Sequence, residues 1–147
     1  MEYITESASE TQNLGQKVAS NLTSKTKIFA LTGELGSGKT TFVQGFARGL
    51  GVKKRIISPT FILMRSYKIV KVDFDTLYHL DLYRFEKDID KELDNLGIEE
   101  VWKDRKNIII IEWAEKARKY IPKEAVWIKF ENVSEERRKI TIRQNNI

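Results

Sequence analysis

The segment Gly33-Glu34-Leu35-Gly36-Ser37-Gly38-Lys39-Thr40 spells G-x-x-x-x-G-K-T, and nothing else in the chain restricts its fold as much. The apolar run Ile28-Phe29-Ala30-Leu31 precedes it and reads as a buried strand; residues 41–50 follow and read as a helix. Strand, glycine-rich loop and helix in that order are the context in which this pattern is a phosphate-binding loop. Glycine lets the backbone take positive φ and come close to a ligand. Successive N–H groups then turn inward as an anion nest, and the helix N-terminus adds about half a positive charge. In such a loop Gly36, Ser37 and Gly38 cradle the phosphates. Lys39 reaches the outer ones as a point charge, and the Thr40 hydroxyl ligates the magnesium that bridges them. Thr41, at the helix start, either adds a phosphate contact or caps the helix.

The rest of the chain supplies a layered fold. Residues 9–21 carry Leu14 and Val18, with Leu22 just beyond, at helical spacing. Residues 62–71 and 72–76 read as a hairpin pair, and 77–83 alternates as a further strand. Residues 88–95 and 98–103 read as short acidic helices. Four isoleucines in a row, 108–111, predict a strand buried on both faces. Residues 114–120 suggest a turn of helix, and 126–130 with 139–143 alternate as an exposed C-terminal hairpin. Strands interleaved with helices predict an α/β fold of P-loop type: a central sheet flanked by helices in three layers. The extended middle segment predicts a mixed sheet, parallel and antiparallel. With 147 residues, no repeat and no linker, one domain is expected.

Composition removes several function classes. There is no cysteine, which excludes disulfides and thiol chemistry and fits the cytosol. No apolar stretch approaches the roughly 20 residues needed to span a bilayer. The first eleven residues are polar and acidic, unlike a secretory signal. A cytoplasmic protein with no membrane role is expected. Net charge is +5 but uneven: residues 73–104 hold a balance of −7, and the remainder +12. The basic remainder, including Arg137, Arg138, Lys139 and Arg143 near the C-terminus, is either a surface for nucleic acid or an acidic partner, or an ordinary solvated face.

A phosphate loop alone hydrolyses nothing; a metal-positioning acid and a water-positioning group are needed too. Glu112 closes Ile108-Ile109-Ile110-Ile111, where a core strand ends, and reads as a Walker B-type acid that holds magnesium directly or through water. The competing reading is a carboxylate exposed just past the strand. Alternation puts His79, Asp81 and Tyr83 on one strand face, and Tyr78, Leu80 and Leu82 on the other. Asp81 is suited to orient or deprotonate an attacking water. His79, the sole histidine, is more in keeping with a hydrogen-bonded structural role. Thr60, in Ser58-Pro59-Thr60, sits in turn chemistry and reads either as a switch-like residue or as a plain loop threonine. Asp94-Asn95-Leu96-Gly97 matches D-x-x-G but follows no core strand. No N-K-x-D guanine-reading motif occurs, which favours ATP over GTP.

These pieces, in this order, resemble the TsaE (YjeE) family. The likeness runs through Gly33–Phe42, Ser58-Pro59-Thr60-Phe61, Tyr78-His79-Leu80-Asp81-Leu82-Tyr83-Arg84, Leu96-Gly97-Ile98-Glu99-Glu100 and Ile111-Glu112-Trp113, and covers nearly the whole chain. The family often has Phe where this chain has Leu80, and Pro where it has Ala114. Both differences leave the polar groups in place. The resemblance implies an ATPase subunit of tRNA threonylcarbamoyladenosine synthesis, acting with TsaB and TsaD on adenosine 37 and resetting that complex by ATP hydrolysis. It implies that Lys39 and Thr40 hold phosphates and magnesium, that Asp81, Glu112 and Trp113 matter functionally, and that Thr11 lies near the nucleotide. From the residues alone, Thr11 reads as a helix cap or first-turn residue, and Trp113 as packing against the loop helix or as a neighbour of the nucleotide. Two other functions fit a P-loop at this length: a small-molecule kinase, for which an arginine-rich lid is missing, and an ATP-switched nucleic-acid-binding module.

Overall fold

The computed structural model describes residues 1–23, 25–57, 63–71 and 73–144. Its elements run β1 (Glu2–Thr5), α1 (Ala8–Ser20), β2 (Ile28–Thr32), α2 (Lys39–Gly49), β3 (Met64–Lys68), β4 (Thr76–Asp81), α3 (Ile89–Asn95), α4 (Ile98–Lys103), β5 (Asn107–Glu112), a 3-10 helix (Ala114–Tyr120), β6 (Val126–Asn132) and β7 (Arg138–Gln144). The strands form one sheet in the order β1-β7-β6-β2-β5-β4-β3. β4, β5, β2 and β6 run parallel. β3 flanks them antiparallel on one side, β7 and then β1 on the other. The mixed sheet follows the expectation.

The apolar runs explain which strands are central. Every residue of β5 is buried, as the isoleucine run predicts. Phe29, Leu31, Ile108 and Ile110 pack with Phe42, Val43 and Phe46 of α2 and Leu14 of α1. Ile28, Ala30, Ile109 and Ile111 pack with Leu93 of α3, Ile98 and Val101 of α4, and Ala114 and Ala117 of the 3-10 helix. Helices on both faces complete the three layers.

Helix α1 begins in a capping arrangement. Ser7 Oγ accepts from the Glu10 backbone N–H at 3.2 Å, and Glu10 Oε1 accepts from the Glu6 N–H at 3.0 Å. It then lies against α2 at backbone distance. A methyl group at Gly45 would sit 1.9 Å from the Gln12 carbonyl oxygen, and one at Gly15 would sit 2.3 Å from that of Phe42. Only hydrogen at these two positions lets α1 approach closely enough to hold its first turn beside the phosphate loop.

Two sequence expectations need correction. The middle hairpin pairs β3 with β4, so residues 73–75 belong to the connection and not to a strand. The strand expected over 77–83 begins at Thr76, ends at Asp81 and is that hairpin's second arm. The C-terminal hairpin is not an exposed appendage. β6 lies inside the sheet, parallel to β2, and Ile128, Phe130 and Ile140 are core residues. Strand β1 was not anticipated: four residues with one buried position carry no readable alternation. Ser58, Pro59 and Thr60 lie outside the described residues.

Candidate functional site

The phosphate loop leaves β2 at Thr32 and enters α2 at Lys39. Gly38, at φ 103°, is the residue from which α2 starts. That backbone conformation is in reach of glycine and strained for most other residues. Ser37 and Lys39 are buried, and Leu35 is exposed at the tip.

Lys39 is folded back onto its own loop. Its Nζ donates to the carbonyls of Gly33 and Glu34, the latter at 2.9 Å. Ser37 Oγ lies 3.4 Å away, and the Trp113 ring centroid 4.2 Å away. Burial lowers the Lys39 pKa from 10.5; the carboxylates of Glu112, Glu115, Asp81 and Glu34 act in the opposite direction. Trp113 is one of two non-glycine residues at positive φ among those described, at 59°. That conformation costs on the order of 1–3 kcal/mol and persists where the surroundings enforce it. Here it turns the chain at the end of β5 and lays the indole between Lys39 and Tyr83, whose ring centroid is 5.1 Å away.

Parallel pairing registers Asp81 at the end of β4 with Glu112 at the end of β5, next to Leu31 at the end of β2. All three strand ends therefore converge on the loop. Ligands of open α/β sheets bind beyond these carboxyl ends. Glu112 is only 2% exposed, which decides between its two readings: it turns inward. Thr40 Oγ1 donates to Glu112 Oε1 at 2.8 Å, and His79 Nε2 lies 2.7 Å from Glu112 Oε2. Asp81 Oδ1 accepts from the Tyr83 N–H at 3.0 Å.

These groups line a cleft of about 350 Å³. Thr11, Gly36, Gly38, Lys39, Thr40, Thr41, Asp81, Glu112 and Trp113 all face it. Ser37 does not line it; it sits beneath the loop. Thr11 Oγ1 is engaged away from the cleft, with Thr5 Oγ1 at 2.7 Å and the Ser7 carbonyl at 3.3 Å. Its methyl points toward Gly38. Arg138 was not expected here. Its guanidinium donates to the Gly36 carbonyl at 3.3 Å and to the carbonyls of Ser134, Glu135 and Arg137. The sequence showed it only as part of a basic stretch; the adjacency of β6 to β2 brings it to the loop. Tyr83 also lines the cleft. Asp94-Asn95-Leu96-Gly97 lies at the α3–α4 junction and contributes nothing to the cleft. Among the described residues, no group of three His, Asp or Glu side chains could hold a metal alone. No described helix is long and apolar enough to cross a membrane.

Residues 5–140 match the family model described as threonylcarbamoyl adenosine biosynthesis protein TsaE. The chain is 35% identical over 114 residues to the tRNA threonylcarbamoyladenosine biosynthesis protein TsaE of Bacillus subtilis (strain 168), covering 78% of this chain and 67% of that protein. It is 41% identical over 109 residues to the protein of the same name from Nostoc sp. (strain PCC 7120), covering 72% of this chain and 63% of that one. The chain thus spans about two thirds of the length of these relatives. The crystal structure of Bacillus subtilis YdiB superposes with a TM-score of 0.78 at 28% identity, over 99% of this chain and 86% of that one. With the family match running from the end of β1 to the start of β7, the chain belongs to the TsaE family.

Proposed function

We propose that this chain binds ATP with magnesium in the cleft, hydrolyses it, and so serves the threonylcarbamoylation of adenosine 37 in tRNA, in the cytoplasm, as a subunit acting with TsaB and TsaD. The relatives' names support the tRNA modification. The contact from Thr40 to Glu112 carries the nucleotide reading. A P-loop hydroxyl and a buried strand-end carboxylate, side by side, make the oxygen-only donor set that magnesium prefers. That ion takes few protein ligands and completes its shell with water and phosphate oxygens.

Thr40 and Glu112 would hold the magnesium, which neutralises charge developing on the phosphates when bound. The Thr40 hydroxyl donates a hydrogen bond to Glu112 Oε1 and keeps its oxygen lone pairs for a cation. Gly36, Gly38, Lys39, Thr40 and Thr41 line the cleft where the phosphates would lie, at the start of α2. Lys39 leaves the carbonyls of Gly33 and Glu34 for the outer phosphates, where bonds between two charged groups replace bonds to neutral carbonyls. Asp81, beside Glu112 at the carboxyl end of its strand, orients the attacking water. Trp113 covers Lys39, and Thr11 packs its methyl on the loop. Weak hydrolysis by the isolated chain, raised by partners, fits a cleft whose rim exposes Leu35 and Tyr83.

A kinase reading finds little support. Arg118 packs its guanidinium 4.2 Å from the Trp127 ring centroid and does not line the cleft. The test is reconstitution with a TsaB–TsaD pair, following ATP hydrolysis and threonylcarbamoyl incorporation into tRNA together. Both should depend on this chain and fail with Lys39→Ala. Phosphorylation of a small molecule by the chain alone, or modification that proceeds equally without it, would overturn the proposal.

A further inference from the structure

We infer that His79 is a positioning residue: its Nε2–H fixes the Glu112 carboxylate so that the other oxygen is held against Thr40, ready for magnesium. This rests on the reading of the cleft as a magnesium–ATP site. His79 lies in β4, two residues before Asp81 and on the same face. It is fully buried. Its Nε2 is 2.7 Å from Glu112 Oε2, while Thr40 Oγ1 is 2.8 Å from Oε1. The carboxylate is therefore gripped at both ends, one donor to each oxygen.

The geometry also assigns the tautomer. His79 Nδ1 is buried with no hydrogen-bond partner. A proton on Nδ1 would be an orphaned buried donor. It would also leave two lone pairs facing each other across the Nε2–Oε2 contact. A proton on Nε2 avoids both, because an unpartnered buried acceptor nitrogen costs less than an unpartnered buried donor. Oε2 cannot then turn toward the cleft without losing its donor. Oε1 stays with Thr40, where the cation would sit. Groups that orient metal ligands in this way typically change metal affinity 10–100-fold when removed.

A buried histidine that merely fills space beneath the sheet would behave differently. The chain has a single histidine, so a ring-15N-labelled sample gives signals from His79 alone. Nitrogen NMR should show Nε2 protonated and Nδ1 bare; the opposite tautomer would overturn the proposal. The second arm measures ATP affinity by calorimetry with magnesium and with EDTA. His79→Phe keeps a ring without a donor. It should lower affinity 10–100-fold in magnesium and leave affinity in EDTA unchanged. His79→Gln, which restores an N–H donor, should recover most of the loss. If the magnesium-dependent gain survives in His79→Phe, His79 only packs and the proposal is wrong. Should His79→Phe fail to fold, the tautomer still decides. A wild-type protein with no magnesium-dependent gain at all would instead sink the nucleotide reading itself, and this proposal with it.

Discussion

Replacing Gly45 with alanine sets two well-calibrated effects against each other. Gly45 lies inside α2, where alanine is favoured over glycine by about 1 kcal/mol from helix propensity alone. Sterics oppose it. The added methyl would stand 1.9 Å from the Gln12 oxygen, 2.6 Å from its carbonyl carbon and 2.7 Å from its Cα. All three are backbone atoms, so no rotamer change relieves the clash, and α1 must retreat by more than an ångström. Gly15 faces the Phe42 carbonyl across the same seam, so the whole contact opens. Overpacking of this kind typically costs about 1–3 kcal/mol, and a backbone-to-backbone clash belongs at or beyond the upper end. Net of propensity, Gly45→Ala should destabilise by about 2 kcal/mol or more. For a chain of this size that lowers the melting midpoint by roughly 4–8 °C. Urea unfolding and thermal melts read the change directly. A variant as stable as wild type, or more so, would refute the backbone-contact account of how α1 is held beside the loop.

Two other perturbations test the cleft. Lys39 has a lowered pKa in the fold and an ordinary one, near 10.5, when unfolded. Below the folded value both states carry the proton and the buried ammonium destabilises. Between the two values only the unfolded chain holds it, so stability rises with pH. Lys39→Met should therefore be more stable than wild type near neutrality, and urea unfolding should show that advantage shrinking as pH approaches 10. Arg138→Ala removes a guanidinium that lines the cleft and donates to Gly36. Loss of one charge-assisted contact corresponds to about a tenfold weakening of ATP binding, measurable by calorimetry, with stability lowered by about 1 kcal/mol because the half-buried side chain also donates to the carbonyls of Ser134, Glu135 and Arg137.

Much of the site was legible because its parts announce themselves locally. The glycine spacing of 33–40 specifies the loop, and four consecutive isoleucines specify a strand buried on both faces with Glu112 at its end. The period-2 alternation of β4 put His79 and Asp81 on the correct face. What escaped reading depends on contacts between distant segments. Arg138 reaches the loop only because β6 pairs with β2. Gly15 and Gly45 look like helix defects until their partners across the seam are known. Strand β1 exists because β7 offers it an edge. The engagement of His79 with Glu112 likewise needs β4 beside β5, which no local pattern announces.

The central claim is that this cleft binds magnesium and ATP through the loop lysine and the Thr40–Glu112 pair. Equilibrium titration of ATP, with magnesium and with EDTA, tests it on wild type, Lys39→Ala and Glu112→Gln. Wild type should bind more tightly with magnesium. Lys39→Ala should weaken binding at least about tenfold under both conditions, from the loss of a charge-assisted phosphate contact. Glu112→Gln should lose the magnesium-dependent gain alone. Equal ATP affinity in all three proteins would contradict the account.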